Sequence, residues 1–351
     1  MLSQLAFRVD GGPLIGTGHV MRCLTLADYW KEDGGTGMFL MSESTAALDK
    51  RIASTGWTKI QLEEPAGSRS EALETAERAL AVEAEWIAAD GYRFGAEWQE
   101  GVIAFGSKLL LFDDFGHANH YFAHLVLNQN FQAQEQLYRS RAPWTKLLMG
   151  RRYALLARQF LPWSTWRRTH PLTVKKVLVT FGGSDPLNIT SFVIRAFEGV
   201  QELDYELRIV VGGSNLHAFE IESAAGKCRQ RCQVLRDVND MARQMAWADL
   251  AVMGGGTTCW EAAFMQLPAI AISCAHQEDL LLDALSSQGV LRKLGKIEDC
   301  TAPAFVLALS KMSQNRDRRE SMGAHGRELV DGRGGSRVID TLRGMSQCVA
   351  E

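Results

Sequence analysis

Short apolar runs alternate with longer amphipathic stretches along the chain, which is the pattern of successive βαβ units. Leu5 to Val9 predicts a first strand ending at Asp10, and His19 to Lys31 the helix that follows it. Gly37 to Ser42 and Trp57 to Leu62 predict two more strands, followed by helices over Ala46 to Ser54 and Ser70 to Ala84. Trp86 to Asp90, Lys108 to Phe112 and Leu125 to Leu127 predict buried parallel strands. These end in Asp90, Asp113-Asp114 and Asn128, and polar residues just past the carboxyl ends of parallel strands face the crevice where α/β proteins bind ligands.

The periodicity breaks over 160–171, where prolines and basic residues gather, and a linker is predicted there. Alternation then restarts. Lys175 to Phe181 predicts a strand entering Gly182-Gly183-Ser184-Asp185-Pro186 and a helix toward Phe197; further strands fall at Tyr205 to Val211, Cys232 to Leu235 and Leu250 to Met253. Arg316 to Glu328 and Arg337 to Gly344 read as amphipathic helices, the last suited to pack back across the domain junction. The fold class is therefore α/β, with two doubly wound Rossmann-like domains, 1–165 and 172–351, expected to face a central cleft. A chain of 351 residues exceeds the size at which one core keeps growing, which agrees.

Composition narrows the partners. Hydrophobic residues make up 46% and charged ones 23%, as in ordinary globular enzymes, and a formal charge of -3 argues against nucleic acid. No run reaches membrane-spanning length, and residues 1–4 lack a signal peptide's basic start, so a cytoplasmic protein without a membrane span is expected. A monomer is the default expectation. Seven cysteines, at 23, 228, 232, 259, 274, 300 and 348, make no secreted disulfide framework. Cys228 and Cys232 lie four apart with no second pair to complete a zinc site. His117, His120 and His124 could converge on a cation or lie solvated in a loop and short connector; the second is the expectation, and no metal is predicted.

Two glycine turns carry the candidate chemistry. Gly16-Thr17-Gly18-His19 joins the first strand to the first helix, so unpaired backbone N–H groups can face an anion. A histidine there is either a buried or capping residue or a base beside a phosphate. Gly254-Gly255-Gly256-Thr257-Thr258 follows a strand and precedes a helix expected to start near Cys259, where glycines, hydroxyls and the dipole suit a diphosphate or merely permit close packing. Glu261, expected in the first helical turn, either caps its own helix or accepts hydrogen bonds from a ribose diol.

A set of motifs taken together resembles a known family: Phe7-Arg-Val-Asp10, Ile15-Gly-Thr-Gly-His-Val-Met-Arg22, Ala89-Asp-Gly-Tyr92, Phe112-Asp-Asp114, Leu127-Asn-Gln-Asn130, Gly150-Arg-Arg-Tyr-Ala-Leu-Leu156, Phe181-Gly-Gly183, Asp237-Val-Asn-Asp-Met-Ala242 and Gly254 to Glu261. The chain is similar over nearly its whole length to the GT-B-fold nucleotide-sugar enzymes. Among them it most resembles the UDP-sugar hydrolases of pseudaminic acid biosynthesis, which are relatives of MurG-type glycosyltransferases. The resemblance implies a cofactor-free hydrolysis of UDP-2,4-diacetamido-2,4,6-trideoxy-β-L-altrose to UDP and free sugar, with inversion, for surface glycans such as those of flagellin. It implies His19 as general base. Asp10, Tyr92 and Asp113 match polar positions around the hexose, with Gly16, Gly18 and Arg22 from the first turn. Gln277 lies near the sugar or phosphate, beside His276, where some relatives have asparagine. Val238 is implied to pair with uracil through its backbone and Glu261 to hold the ribose. Gly255, Gly256, Thr257 and Thr258 would hold the diphosphate, with backbone donors at Gly182 and Gly183. The main alternative is a glycosyltransferase of the same fold using a UDP-sugar donor; a third is a nucleotide-sugar sensor without turnover.

Overall fold

The computed structural model describes residues 4–200 and 204–347, apart from the side chains of His276, Gln277 and Gln347. The chain forms two compact units, one of residues 1–15, 19–155 and 333–351, the other of residues 16–18 and 156–332.

The first unit alternates β1 (Gln4–Val9), α1 (Gly18–Glu32), β2 (Thr36–Met41), α2 (Ala46–Ser54), β3 (Thr58–Gln61), α3 (Arg69–Leu80), β4 (Ala84–Asp90), α4 (Ala96–Ile103), β5 (Lys108–Phe112), β6 (Leu125–Asn128) and β7 (Lys146–Met149). Its seven-stranded sheet has the order β3-β2-β1-β4-β5-β6-β7, and the pairings are parallel. The strand order reverses between β1 and β4, where Phe7 sits between Phe39 and Ala88. In open α/β sheets that switch point opens the crevice at the carboxyl ends of the strands. The loop that opens α1 and the end of β4 meet there.

The core strands read as near-continuous apolar runs because both faces are covered. Arg8 departs from this: it is fully buried in β1, with Nε 2.6 Å from Glu71 and a second bond to Asp10. Side-chain caps set the helix starts, Thr45 accepting from Leu48 N for α2 and Ser68 from Glu71 N for α3.

The second unit runs β8 (Lys176–Thr180), α5 (Ile189–Ala196), β9 (Glu206–Val211), α6 (Ala218–Lys227), β10 (Arg231–Arg236), α7 (Met241–Trp247), β11 (Leu250–Met253), α8 (Thr257–Phe264), β12 (Ala269–Ser273), α9 (His276–Ser287), β13 (Arg292–Lys296), α10 (Ala302–Gln314) and α11 (Arg316–Leu329). Its six parallel strands have the order β10-β9-β8-β11-β12-β13, so the switch point lies between β8 and β11. The glycine turns 182–183 and 254–256 follow these two strands. The final helix, α12 (Gly334–Gln347), belongs to the first unit: Trp86 Nε1 donates to Ser346 Oγ at 3.1 Å, Lys108 Nζ to the Met345 carbonyl and Arg337 to the Arg152 carbonyl.

Several elements differ from the sequence expectation. α3 stops at Leu80, because Glu83 turns the chain with φ 55° and Ala84 already pairs in β4. α4, β7, β12 and β13 were not predicted; each is short or broken by glycine or polar residues. The stretch expected as a linker is packed. Phe160 is fully buried, and Arg168 donates to the backbone carbonyls of Met245, Ala248 and Met265. Among the described residues no helix is long and apolar enough to cross a membrane.

Candidate functional site

His19 and Arg22 stand three apart on α1, so they share one helix face, and that face meets the end of β4. His19 Nδ1 lies 2.7 Å from Asp90 Oδ1. Arg22 holds the same carboxylate with Nε on Oδ2 and Nη2 on Oδ1, both at 2.7 Å. Asp90 is buried. Burial opposes its ionisation, but the charges of Arg22 and His19 and the bonds they make outweigh it and pull Asp90 far below the usual carboxylate range. An ionised carboxylate only accepts, so Nδ1 of His19 carries a hydrogen, and in the neutral ring it is Nε2 that presents the lone pair. Among the described residues no bond is made at Nε2, and the ring is 14% exposed.

A second carboxylate completes the cluster. Asp114, just past β5, receives Arg22 Nη1 at 2.8 Å and Nη2 at 3.2 Å, Asn130 Nδ2 at 2.8 Å and the Tyr92 hydroxyl at 3.1 Å. The Tyr92 ring stands edge-on to His19 with centroids 5.0 Å apart. Burial and then the nearby Asp114 charge push the Tyr92 phenol up, so it stays a donor. His19, Arg22 and Tyr92, expected together from sequence, are brought together. Asp90 and Asp114, expected only as polar residues at the ligand edge of the sheet, belong to the cluster, and Asn130, quoted within a motif but given no role, joins them.

Two expected sugar contacts face elsewhere. Asp113 is fully buried and accepts from the backbone N–H groups of Phe115, Gly116 and His117 and from the Tyr121 hydroxyl. It is Asp114, not Asp113, that reaches the His19 cluster, since successive residues past a strand point to opposite sides. Asp10 accepts from Ser42 N, Glu43 N and Arg8, and so fixes the β2–α2 loop. Gly16, with φ 85°, supplies the turn before α1, and Gly18 begins the helix. The histidine segment is also not a solvated connector: His117 Nδ1 lies 3.0 Å from Asp113 and the His124 ring accepts from Leu109 N. His120 bonds only Ser140 among the described residues. No group of three His, Cys, Asp or Glu side chains suited to a metal occurs among the described residues.

In the second unit the two glycine turns differ. At the first, Gly182 has φ 78° and the backbone of Gly183 packs against Gly212, where a Cβ would come within 2.3 Å of Gly183 Cα. The N–H groups opening α5 are already taken by Asp185, which accepts from Ile189 and Thr190. At the second, Gly256 adopts φ 130°, open to glycine alone, and α8 starts at Thr257 with no side-chain cap. Among the described residues the N–H groups of Thr257 and Thr258 are thus available to an anion, while Cys259 N bonds the Gly256 carbonyl. Gly255 is pressed against α9, where an added Cβ would come within 2.6 Å of Glu278 Cβ.

Because α8 starts two residues earlier than expected, Glu261 falls in its second turn and cannot cap it. Its carboxyl makes no hydrogen bond among the described residues, and burial alone raises it to about 8. Val238 sits half-buried in the loop between β10 and α7, after Asp237 with φ 45°. The side chains of His276 and Gln277 lie outside the described residues.

Residues 177–326 match the family model of the glycosyltransferase family 28 C-terminal domain. The chain is 28% identical over 170 residues to the spore coat polysaccharide biosynthesis protein SpsG of Bacillus subtilis, covering 48% of this chain and 50% of that one. It spans between half and three-fifths of the length of the curated relatives it matches. Among solved structures it is similar to MurG of Acinetobacter baumannii (TM-score 0.65, 13% identity, 97% of this chain and 99% of that one). It is also similar to S. aureus MnaA in a co-structure with UDP (TM-score 0.68, 11% identity, 100% and 98%). The fold is thus of the GT-B type, two parallel-sheet α/β domains.

Proposed function

We propose that the chain hydrolyses a UDP-linked 2,4-diacetamido-2,4,6-trideoxy hexose, UDP-2,4-diacetamido-2,4,6-trideoxy-β-L-altrose, to UDP and the free sugar. The observation that carries the reading is the His19–Asp90–Arg22 group. An ionised, immobilised Asp90 orients His19 and, in the neutral ring, leaves Nε2 as a base that no described residue bonds. The uncapped start of α8 and the unbonded Glu261 supply what a diphosphate and a ribose diol need, donors for one and an acceptor for the other. The likeness to MnaA with bound UDP and to a polysaccharide biosynthesis protein supports a nucleotide-sugar substrate.

In this reading Nε2 of His19 takes a proton from water as its oxygen bonds to the anomeric carbon. The bond from that carbon to the β-phosphate oxygen breaks on the opposite side, and UDP departs with the electron pair, which inverts the anomeric centre. Asp90 stabilises the imidazolium that forms. The leaving diphosphate is weakly basic, so no second carboxyl acid is needed as in ordinary glycoside hydrolysis, and N–H donors at α8 stabilise its charge.

His19→Ala is expected to lower turnover by about 10²- to 10⁴-fold while leaving UDP affinity intact. NMR of the released anomer and calorimetry with UDP read the two parts, and near-wild-type hydrolysis by the variant refutes the base. The family match of residues 177–326 favours a second reading, transfer of the sugar to an acceptor hydroxyl deprotonated by His19. Sugar and UDP released without acceptor decide for hydrolysis.

A further inference from the structure

The turn after β5 holds an imidazole to which the reaction above gives no part. His117 has a side chain only 6% exposed, with Nδ1 3.0 Å from Asp113 Oδ2. Asp113 is the frame of that turn: Phe115 N at 2.8 Å, Gly116 N at 2.7 Å, His117 N at 3.2 Å and the Tyr121 hydroxyl at 2.6 Å all donate to it. These donors are neutral. They leave the charge of the buried carboxylate without a counter-ion, and His117, at ion-pair distance though with neither ring nitrogen in hydrogen-bond geometry, is the titratable base beside it among the described residues. The same turn carries Asp114, whose two oxygens are fully used in clasping Arg22, Tyr92 and Asn130. Any loosening at Asp113 is therefore felt one residue away, at the clasp that backs His19.

Burial opposes a charge on His117, but the close approach and charge of Asp113, helped by the Phe94 carbonyl and by Asp114, hold it above the usual histidine value. Asp113 is lowered in turn: burial is outweighed by His117, Tyr121 and the backbone of Gly116. The groups that face the pair are Asp114 on its own turn, the Tyr92 ring 6.0 Å from His117, the Phe94 carbonyl from the loop after β4, and the hydroxyl of Tyr121; the charge of Asp113 is also felt at Tyr138, beyond β6.

We propose that protonated His117 is a positioning residue: by neutralising Asp113 it keeps turn 113–117 tight, and through Asp114 it holds Arg22, Tyr92 and Asn130 in the arrangement that serves His19. The sign follows from the raised value. The support is fully present below the unfolded histidine value of about 6.5 and is lost as pH rises through the folded one. The proposal rests on the hydrolase reading only for its activity readout.

The test is NMR of the full chain labelled in histidine, tyrosine and asparagine, titrated from pH 5.5 to about 9, a range that brackets a raised histidine. Expected is a His117 transition shared, with the same midpoint, by the Tyr92 ring and the Asn130 side-chain amide. In His117→Gln those two signals should keep the alkaline wild-type positions at every pH. Sugar release should fall by on the order of 10- to 100-fold across the same midpoint, as for a small misplacement of catalytic groups, and the variant should lack that limb. Tyr92 and Asn130 signals indifferent to the His117 transition, or a His117 already neutral at the acid end, overturn the proposal. The wild-type titration decides even if the variant does not fold. Signals that move together in a chain releasing no sugar at any pH support the positioning role and refute the hydrolase reading instead.

Discussion

Replacing Asp90 by Asn is the sharpest perturbation of the cluster, because it removes one charge while keeping the shape. The carboxylate now receives three N–H bonds at 2.7 Å, two from Arg22 and one from His19 Nδ1. An amide has one oxygen and one NH₂. Arg22 can only donate and it meets both positions, Nη2 at Oδ1 beside His19 Nδ1 and Nε at Oδ2, so the amide must turn its NH₂ against one of these donors. With the NH₂ in the Oδ1 place Nδ1 has to accept and the lone pair at Nε2 is lost; with it in the Oδ2 place the tautomer survives, but the carboxylate charge that stabilises the imidazolium is gone. The structural cost is smaller, since Arg22 keeps both bonds to Asp114. Losing one charge-assisted contact there should destabilise by about 1.5–3 kcal/mol. The kinetic cost is a base without its carboxylate support, about 10²- to 10⁴-fold in kcat, the range general-base catalysis contributes. The assay is UDP release under saturating substrate, with UDP affinity measured in parallel as a control on the second unit. A kcat within about threefold of wild type, a free-energy difference near 0.7 kcal/mol, refutes the role given to the Asp90 carboxylate.

Two other expectations follow from burial. Glu261 titrates near 8 in the folded chain against an ordinary value of 4.5. Between those values the native state binds more protons than the unfolded one, so stability falls as pH rises. Glu261→Gln should abolish that fall, gaining on the wild type from pH 5 to 8 in ligand-free melting curves; parallel curves across that range count against it. Arg8→Ala should cost about 3–5 kcal/mol by leaving Glu71 and Asp10 without their buried cation. Guanidinium unfolding reads this, and a loss under about 1 kcal/mol, the scale of an exposed pair, would contradict the pairing.

The doubly wound class was legible because parallel strands buried on both faces print continuous apolar runs, as Lys108 to Phe112 and Leu250 to Met253 do. The two glycine turns were legible as turns, and His19, Arg22 and Tyr92 as site members. Which neighbour of a pair faces the site was not: Asp113 and Asp114 are identical in type, and only the exit angle of β5 decides that one frames the turn and the other clasps Arg22. The helix start at Thr257 was hidden for a related reason. Its N-cap is a glycine at φ 130° rather than a serine or aspartate, so Glu261 was placed a turn too early. The contrast between an α5 start filled by Asp185 and an empty α8 start depends on side-chain reach that spacing does not encode.

The return of α12 to the first unit makes that unit discontinuous in the chain. A ribosome must deliver everything through Gly332, the whole second sheet included, before the helix that bonds Trp86, Lys108 and Arg152 emerges. The first unit, which carries His19 on α1, thus waits with one flank uncovered while all of 156–332 has already emerged. Chain connectivity imposes an order of completion in which the second unit is finished first and the first unit last.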